Sequence, residues 1–129
     1  MKESLMFNPN PVGWFEIAVT DMQRARHFYH HVFAVEFDML EMGTDTMAMF
    51  PFDHNTPGSS GALVQGPDYE PCDKGTMVYF ECADVAPLLA KVEHGGGKLL
   101  LGKTSIGEHG YIGVFLDSEG NKVGMHSQQ

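Results

Sequence analysis

Apolar residues run almost unbroken through Trp14–Val19, with Glu16 set among them, before the spacing turns helical. On a strand, whose side chains alternate, Trp14, Glu16 and Ala18 share one face and Phe15, Ile17 and Val19 the other. The pattern predicts a first strand over Val12–Val19. Thr20-Asp21 opens a helix, with Gln23 at the capping-box position relative to Thr20. Met22, Ala25, Tyr29, Val32 and Phe33, with Phe28 beside them, give that helix an apolar face to lay on a sheet. Glu36–Met42 and Asp45–Phe50, separated by Gly43-Thr44, predict a hairpin whose face assignment for Met47, Ala48, Met49 and Phe50 stays open. A loop over Pro51–Ser60 leads to a short strand, Gly61–Gln65.

The same order then returns. Gly66–Gly75, with Pro67, Asp68, Pro71 and Asp73, reads as a linker, and its length suits a segment that also covers something. Thr76–Cys82 predicts a strand. Asp84 caps a helix over Val85–His94, in which Pro87 falls in the tolerated first turn. Gly95–Gly97 stops it. Lys98–Thr104, Tyr111–Leu116 and Lys122–His126 follow as strands, joined by the loop Ser105–Gly110 and the turn Asp117–Asn121. The expected fold class is α+β: one domain over residues 1–129 made of two βαβββ modules, about 12–65 and 76–127, with residues 66–75 between them. Each module is too small to hide its inner face. Together they predict a cupped, partly closed barrel-like sheet with helices outside. Phe15, Ile17, Val19, Val78, Phe80 and Cys82 then face the helices, and Trp14, Glu16, Ala18, Met77, Tyr79 and Glu81 the concavity. Met1–Asn10, ending in Asn8-Pro9-Asn10, predicts a loose arm.

Composition narrows the partners. Eight Lys and Arg against 17 Asp and Glu give a formal charge of −9. That balance opposes the phosphate neutralisation nucleic-acid binding needs and gives no attraction to anionic membranes. There is no apolar run of spanning length and no leader-like apolar stretch at the N-terminus. Cys72 and Cys82 form no CxxC or disulfide framework, so free thiols and a cytoplasmic location are expected. The sequence has no G-x-S-x-G, no G-x-G-x-x-G and no phosphate loop. His27 and His31 have the i,i+4 spacing of a two-histidine metal pair, but no Glu of the H-E-x-x-H type stands between them.

The strand-Thr-Asp-helix with its "FY…VF", the repeated strand-Ala-Asp-helix, the GGG stop and the closing GYIGVFLDSEGNKVG resemble the vicinal oxygen chelate superfamily. That superfamily includes glyoxalase I, fosfomycin- and bleomycin-resistance proteins, extradiol dioxygenases and methylmalonyl-CoA epimerase. The resemblance covers the chain from about Val12 and implies a divalent metal held by His or Gln, Glu, His and Glu on the first, fourth, fifth and eighth strands. It also makes a homodimer an expectation. Carried over, the first-strand ligand position is Glu16 and the fifth is Tyr79. The eighth is Gly124, which cannot ligate, and the fourth is Leu63 or Gln65. Only Glu16 suits the metal, so a family-type site is not expected and no cofactor is assigned. A displaced divalent site using Glu16, Glu81 and His126 is the alternative.

The function expected is a small-molecule binding protein with a degenerate metal site. Trp14, Tyr79 and cavity methionines would hold an apolar or aromatic ligand, with Glu16, Glu81 and His126 as polar contacts. Competing expectations are a lyase or isomerase in which Glu16 is the catalytic base or metal ligand, and an interaction protein with a vestigial cavity.

Overall fold

A computed structural model describes residues 10–129; the arm expected over Met1–Asn10 lies outside them apart from Asn10. The chain follows the repeated order the pattern predicts. β1 (Phe15–Ala18), α1 (Met22–Phe33), β2 (Asp38–Met42), β3 (Asp45–Met49) and β4 (Gly61–Gln65) form the first module. β5 (Tyr79–Glu81), α2 (Val85–Leu89), β6 (Lys98–Ser105), β7 (Tyr111–Leu116) and β8 (Lys122–Ser127) form the second, with a single 3-10 turn at Gly107–His109. Two four-stranded sheets result, ordered β1-β4-β3-β2 and β5-β8-β7-β6. In each, the first strand runs parallel to the last and the other pairs are antiparallel. The fold is the expected α+β cup of two βαβββ modules, and it is not closed into a barrel.

One core joins the modules. Ile17, Val19, Leu63 and Ala48 from the first sheet meet Phe115, Val123 and Met125 from the second, with Phe28, Tyr29 and Val32 of α1 and Val85 and Leu89 of α2 between them. Aromatic rings carry the seam: Phe15 lies 5.7 Å from Phe80, and Phe28 5.8 Å from Phe115, centre to centre. Such edge and tilted contacts add to the burial of large apolar area. The face left open on β3 is resolved as well. Ala48 and Phe50 join this core, while Met47 and Met49 pack with Ala62, Val64 and Tyr69 on the opposite side.

Local signals shift a few boundaries. The helix cap is Asp21, whose carboxylate accepts from the Arg24 amide at 3.1 Å, so the box expected from Thr20 and Gln23 does not form. Thr20 is instead taken by Glu119, whose carboxylate accepts from the Thr20 and Asp21 amides and the Thr20 hydroxyl. α2 is regular only to Leu89. Beyond it Lys91 and Val92 bond back three residues, tightening the chain into turns before Gly96, at φ +108, ends them. β5 is short because only Tyr79–Glu81 find ladder partners on β8.

Candidate functional site

β1 and β5 do not pair with one another, and the gap between them is a cavity of about 670 Å³. Small-molecule sites commonly enclose roughly 300–1,000 Å³. Trp14, Glu16 and Ala18 form one wall and Met77 and Tyr79 the other. Glu70, Cys72 and Lys74 close it from the linker, Asn121 from the turn before β8 and Lys122 from the first position of β8. The alternation read from the sequence therefore puts Trp14, Glu16 and Tyr79 around one space. Trp14 is 41% and Tyr79 47% exposed, so both rings offer faces to a ligand.

Glu16 is exposed at the wall, not desolvated, and its carboxylate is oriented from two sides. The Tyr69 hydroxyl donates to one oxygen at 2.7 Å, and the Trp14 indole N–H to the other at 3.4 Å. The hydrogen bond to Glu16, followed by partial burial, raises the Tyr69 pKa above the ordinary phenol value, which keeps the hydroxyl a donor. Tyr69 comes from the linker and has no periodic pattern around it to single it out. The one available signal was that segment's length.

Asn121, which the sequence places only in a turn, is the second such residue. Its side-chain amide donates to the Ala18 carbonyl at 2.8 Å and to Asp117 at 3.0 Å, and its oxygen accepts from the Cys72 amide at 2.9 Å. It thereby fastens β1, the linker and the β7–β8 turn around the cavity. Behind it, the buried Asp117 also accepts from the Tyr29 hydroxyl at 2.7 Å. Burial raises the pKa of Asp117, opposed by the hydrogen bonds from Asn121 and Tyr29.

Glu81 and His126 sit together, but not with Glu16, and neither lines this cavity. His126 Nδ1 is 2.8 Å from a Glu81 carboxylate oxygen and Nε2 is 2.6 Å from the His109 carbonyl. Both partners are acceptors, so the ring satisfies both only when each nitrogen carries hydrogen, as imidazolium. The His109 carbonyl and then Glu81 raise the His126 pKa. A raised folded pKa means that this clasp is fully present below the unfolded value, about 6.5, and is lost as pH rises through the folded one. Urea denaturation at a series of pH values should therefore show wild type losing stability relative to His126→Gln as pH rises above the unfolded value of about 6.5. Parallel profiles would remove the clasp from consideration.

The metal implied by the resemblance finds a poor donor set. Across the parallel ladders, Glu16 stands beside Ala62 and Tyr79 beside Gly124. The fourth-strand position is therefore Ala62, a correction to Leu63 or Gln65. Leu63 faces the helix-side core, and Gln65 accepts from the Met22 amide at the start of α1. One carboxylate, one phenol, an alanine and a glycine do not make a divalent oxygen–nitrogen site, and a Cβ on Gly124 would run into the Tyr79 ring. Among the described residues, no three His, Cys, Asp or Glu side chains stand placed to hold a metal ion together. Cys72 and Cys82 are both free thiols. No helix among the described residues is long and apolar enough to cross a membrane.

A family model described as Glyoxalase/Bleomycin resistance protein/Dioxygenase superfamily matches residues 12–125. Among solved structures, the chain is similar to an antibiotic binding protein from Streptomyces sp. CB03234, at 19% identity and a TM-score of 0.70, over 92% of this chain and 95% of that one. Glyoxalase I from Zea mays matches at 19% identity and a TM-score of 0.68, over 94% of this chain and 47% of the maize one. The chain thus spans about half the length of that enzyme. A genomically encoded fosfomycin resistance protein from Listeria monocytogenes matches at 12% identity and a TM-score of 0.64, over 92% and 90% of the two chains. At such identities the likeness is one of fold. No curated protein matches the sequence.

Proposed function

The chain belongs to the glyoxalase/bleomycin resistance protein/dioxygenase superfamily, and within it we propose a small-molecule binding protein whose family-type metal site is degenerate. The observation that carries this reading is the cavity itself: two exposed aromatic faces, Trp14 and Tyr79, with a carboxylate between the sheets held by Tyr69. An aromatic or apolar ligand covers the rings. Each Glu16 oxygen keeps acceptor capacity beyond its one intramolecular donor, so the ligand presents a hydrogen-bond donor, an ammonium best of all. Lys74, Lys122 and Glu70 on the lining limit which further charges are accepted. The same fold serves the Streptomyces antibiotic binding protein, which makes sequestration a fitting role.

Screening aromatic amines and their uncharged analogues by thermal shift, then calorimetry, tests the reading. Saturable stabilisation by amine-bearing aromatics is expected, with the ligand recovered unchanged. Glu16→Gln should weaken the amines about tenfold, about 1.4 kcal/mol, and the uncharged analogues little. If instead wild type converts a ligand and Glu16→Gln keeps binding but loses turnover, the binding reading falls, and Glu16 is the base of a glyoxalase-style lyase or isomerase.

A further inference from the structure

Away from the cavity, the turn that follows α2 brings His94 to the two histidines of α1. The His31 ring centre lies 6.3 Å from that of His27, with the planes 18° apart, and 5.2 Å from that of His94. We propose that His27, His31 and His94 form a surface site for a borderline divalent transition metal such as nickel, copper or zinc, bridging α1 of the first module and the turn after α2 of the second.

The separation of His31 from His94 is what imidazole ligation asks for. With metal–nitrogen bonds of about 2.0–2.1 Å, two imidazoles on one ion hold their ring centres about 5 Å apart. His31 and His94 already stand at that separation. The rings as they stand do not close a site. His27 and His94 are exposed, so side-chain rotation can close the wider His27 gap without disturbing packing. His31 is the fixed member, half-buried beside the turn. Gly95 lets that turn approach, since a Cβ there would sit 3.2 Å from the His31 ring and 3.3 Å from Phe28. His30 belongs elsewhere: its Nδ1 lies 3.0 Å from the Val35 carbonyl.

Three imidazoles with no carboxylate suit nickel, copper and zinc over magnesium or calcium. None of these residues lines the cavity, so the site stands whether or not the cavity binds a small molecule.

The test is calorimetric titration of the untagged chain with nickel and zinc near neutral pH, with thermal unfolding in parallel. One ion per chain is expected, together with a rise in Tm, because the ion ties α1 to the turn after α2. His31→Ala should abolish binding, and His27→Ala and His94→Ala should each weaken it tenfold or more. Binding that survives His94→Ala while falling with His27→Ala would reduce the site to a helix pair and overturn the bridge. Loss with Glu16→Gln or His126→Gln would move the ion elsewhere, and no binding by wild type would end the proposal.

Discussion

Glu119→Ala should cost about 3 kcal/mol of folding stability and abolish an acid transition that wild type shows. The turn joining β7 and β8 carries this carboxylate across to the start of α1. There it accepts from the Thr20 amide at 2.9 Å, the Asp21 amide at 3.0 Å and the Thr20 hydroxyl at 3.0 Å. Arg24 donates to it from both Nε, at 2.7 Å, and Nη2, at 2.9 Å. The Glu119 side chain is fully covered while that of Arg24 is half exposed. Removal therefore strands two amides at a helix N-terminus, where a negative charge is favourable, while water partly rescues the arginine.

Its pKa indicates the same size of effect. Burial alone would raise it, but the hydrogen bonds from Arg24, Thr20, Asp21 and Ser118 bring it down to about 2. A depressed folded value means that the stabilisation is present above the unfolded value, about 4.5, and is lost as pH falls toward 2. The shift corresponds to about 3 kcal/mol at most, since solvent screens the half-exposed Arg24 side of the pair. Denaturant titrations from about pH 7 down to about pH 2 should show a falling wild-type curve and a flatter one for Glu119→Ala. A substitution without effect at neutral pH would show the contact to be ornamental to folding.

Glu119 also shows where the sequence is legible and where it is not. The two modules, their strand order and the sharing of faces follow from alternation, from Thr20-Asp21 and Asp84 as helix starts and from the glycine stop, all signals carried within a dozen residues. Gly61–Gln65 and Tyr111–Leu116 fall where the pattern places them. The cavity's inner strands were readable for the same reason, so Trp14, Glu16 and Tyr79 come together. The remainder depends on pairs distant in the chain. Glu119 with Thr20, Tyr69 with Glu16 and Asn121 with Ala18 each join a polar turn or linker residue to a partner in a separate segment. A polar residue in a turn looks the same whether it faces water or a buried carbonyl, so periodicity has nothing to say about it. The fourth-strand register failed for a related reason. Ala62 is chosen over Leu63 by the parallel pairing of Phe15 with Gly61, where a larger residue would collide with Phe15.

Asn121→Ala is the substitution expected to damage fold and cavity together. The residue is 8% exposed. Its amide and carbonyl serve three segments at once: β1 through Ala18, the linker through Cys72 and its own turn through Asp117. Truncation leaves the Ala18 carbonyl and Cys72 amide without these partners and takes one donor from a buried carboxylate, for a loss of about 3 kcal/mol. Asp117 keeps the Tyr29 hydroxyl and the amides of Glu119 and Asn121, so the network weakens rather than collapses. The linker consequence is separate. Cys72 loses the bond that pins it, and with it Glu70, Lys74 and the Tyr69 that orients Glu16 lose their anchor. Hydrogen exchange should then quicken at the Cys72 amide, and affinity for an aromatic amine should fall even under conditions where the variant is fully folded. Asn121→Asp separates the two effects: it keeps an acceptor for Cys72 but faces the Ala18 carbonyl and Asp117 with oxygen. It should therefore remain as unstable as Asn121→Ala while protecting the Cys72 amide. If both variants instead match wild type in exchange and binding, the cavity wall is held by the aromatic seam alone.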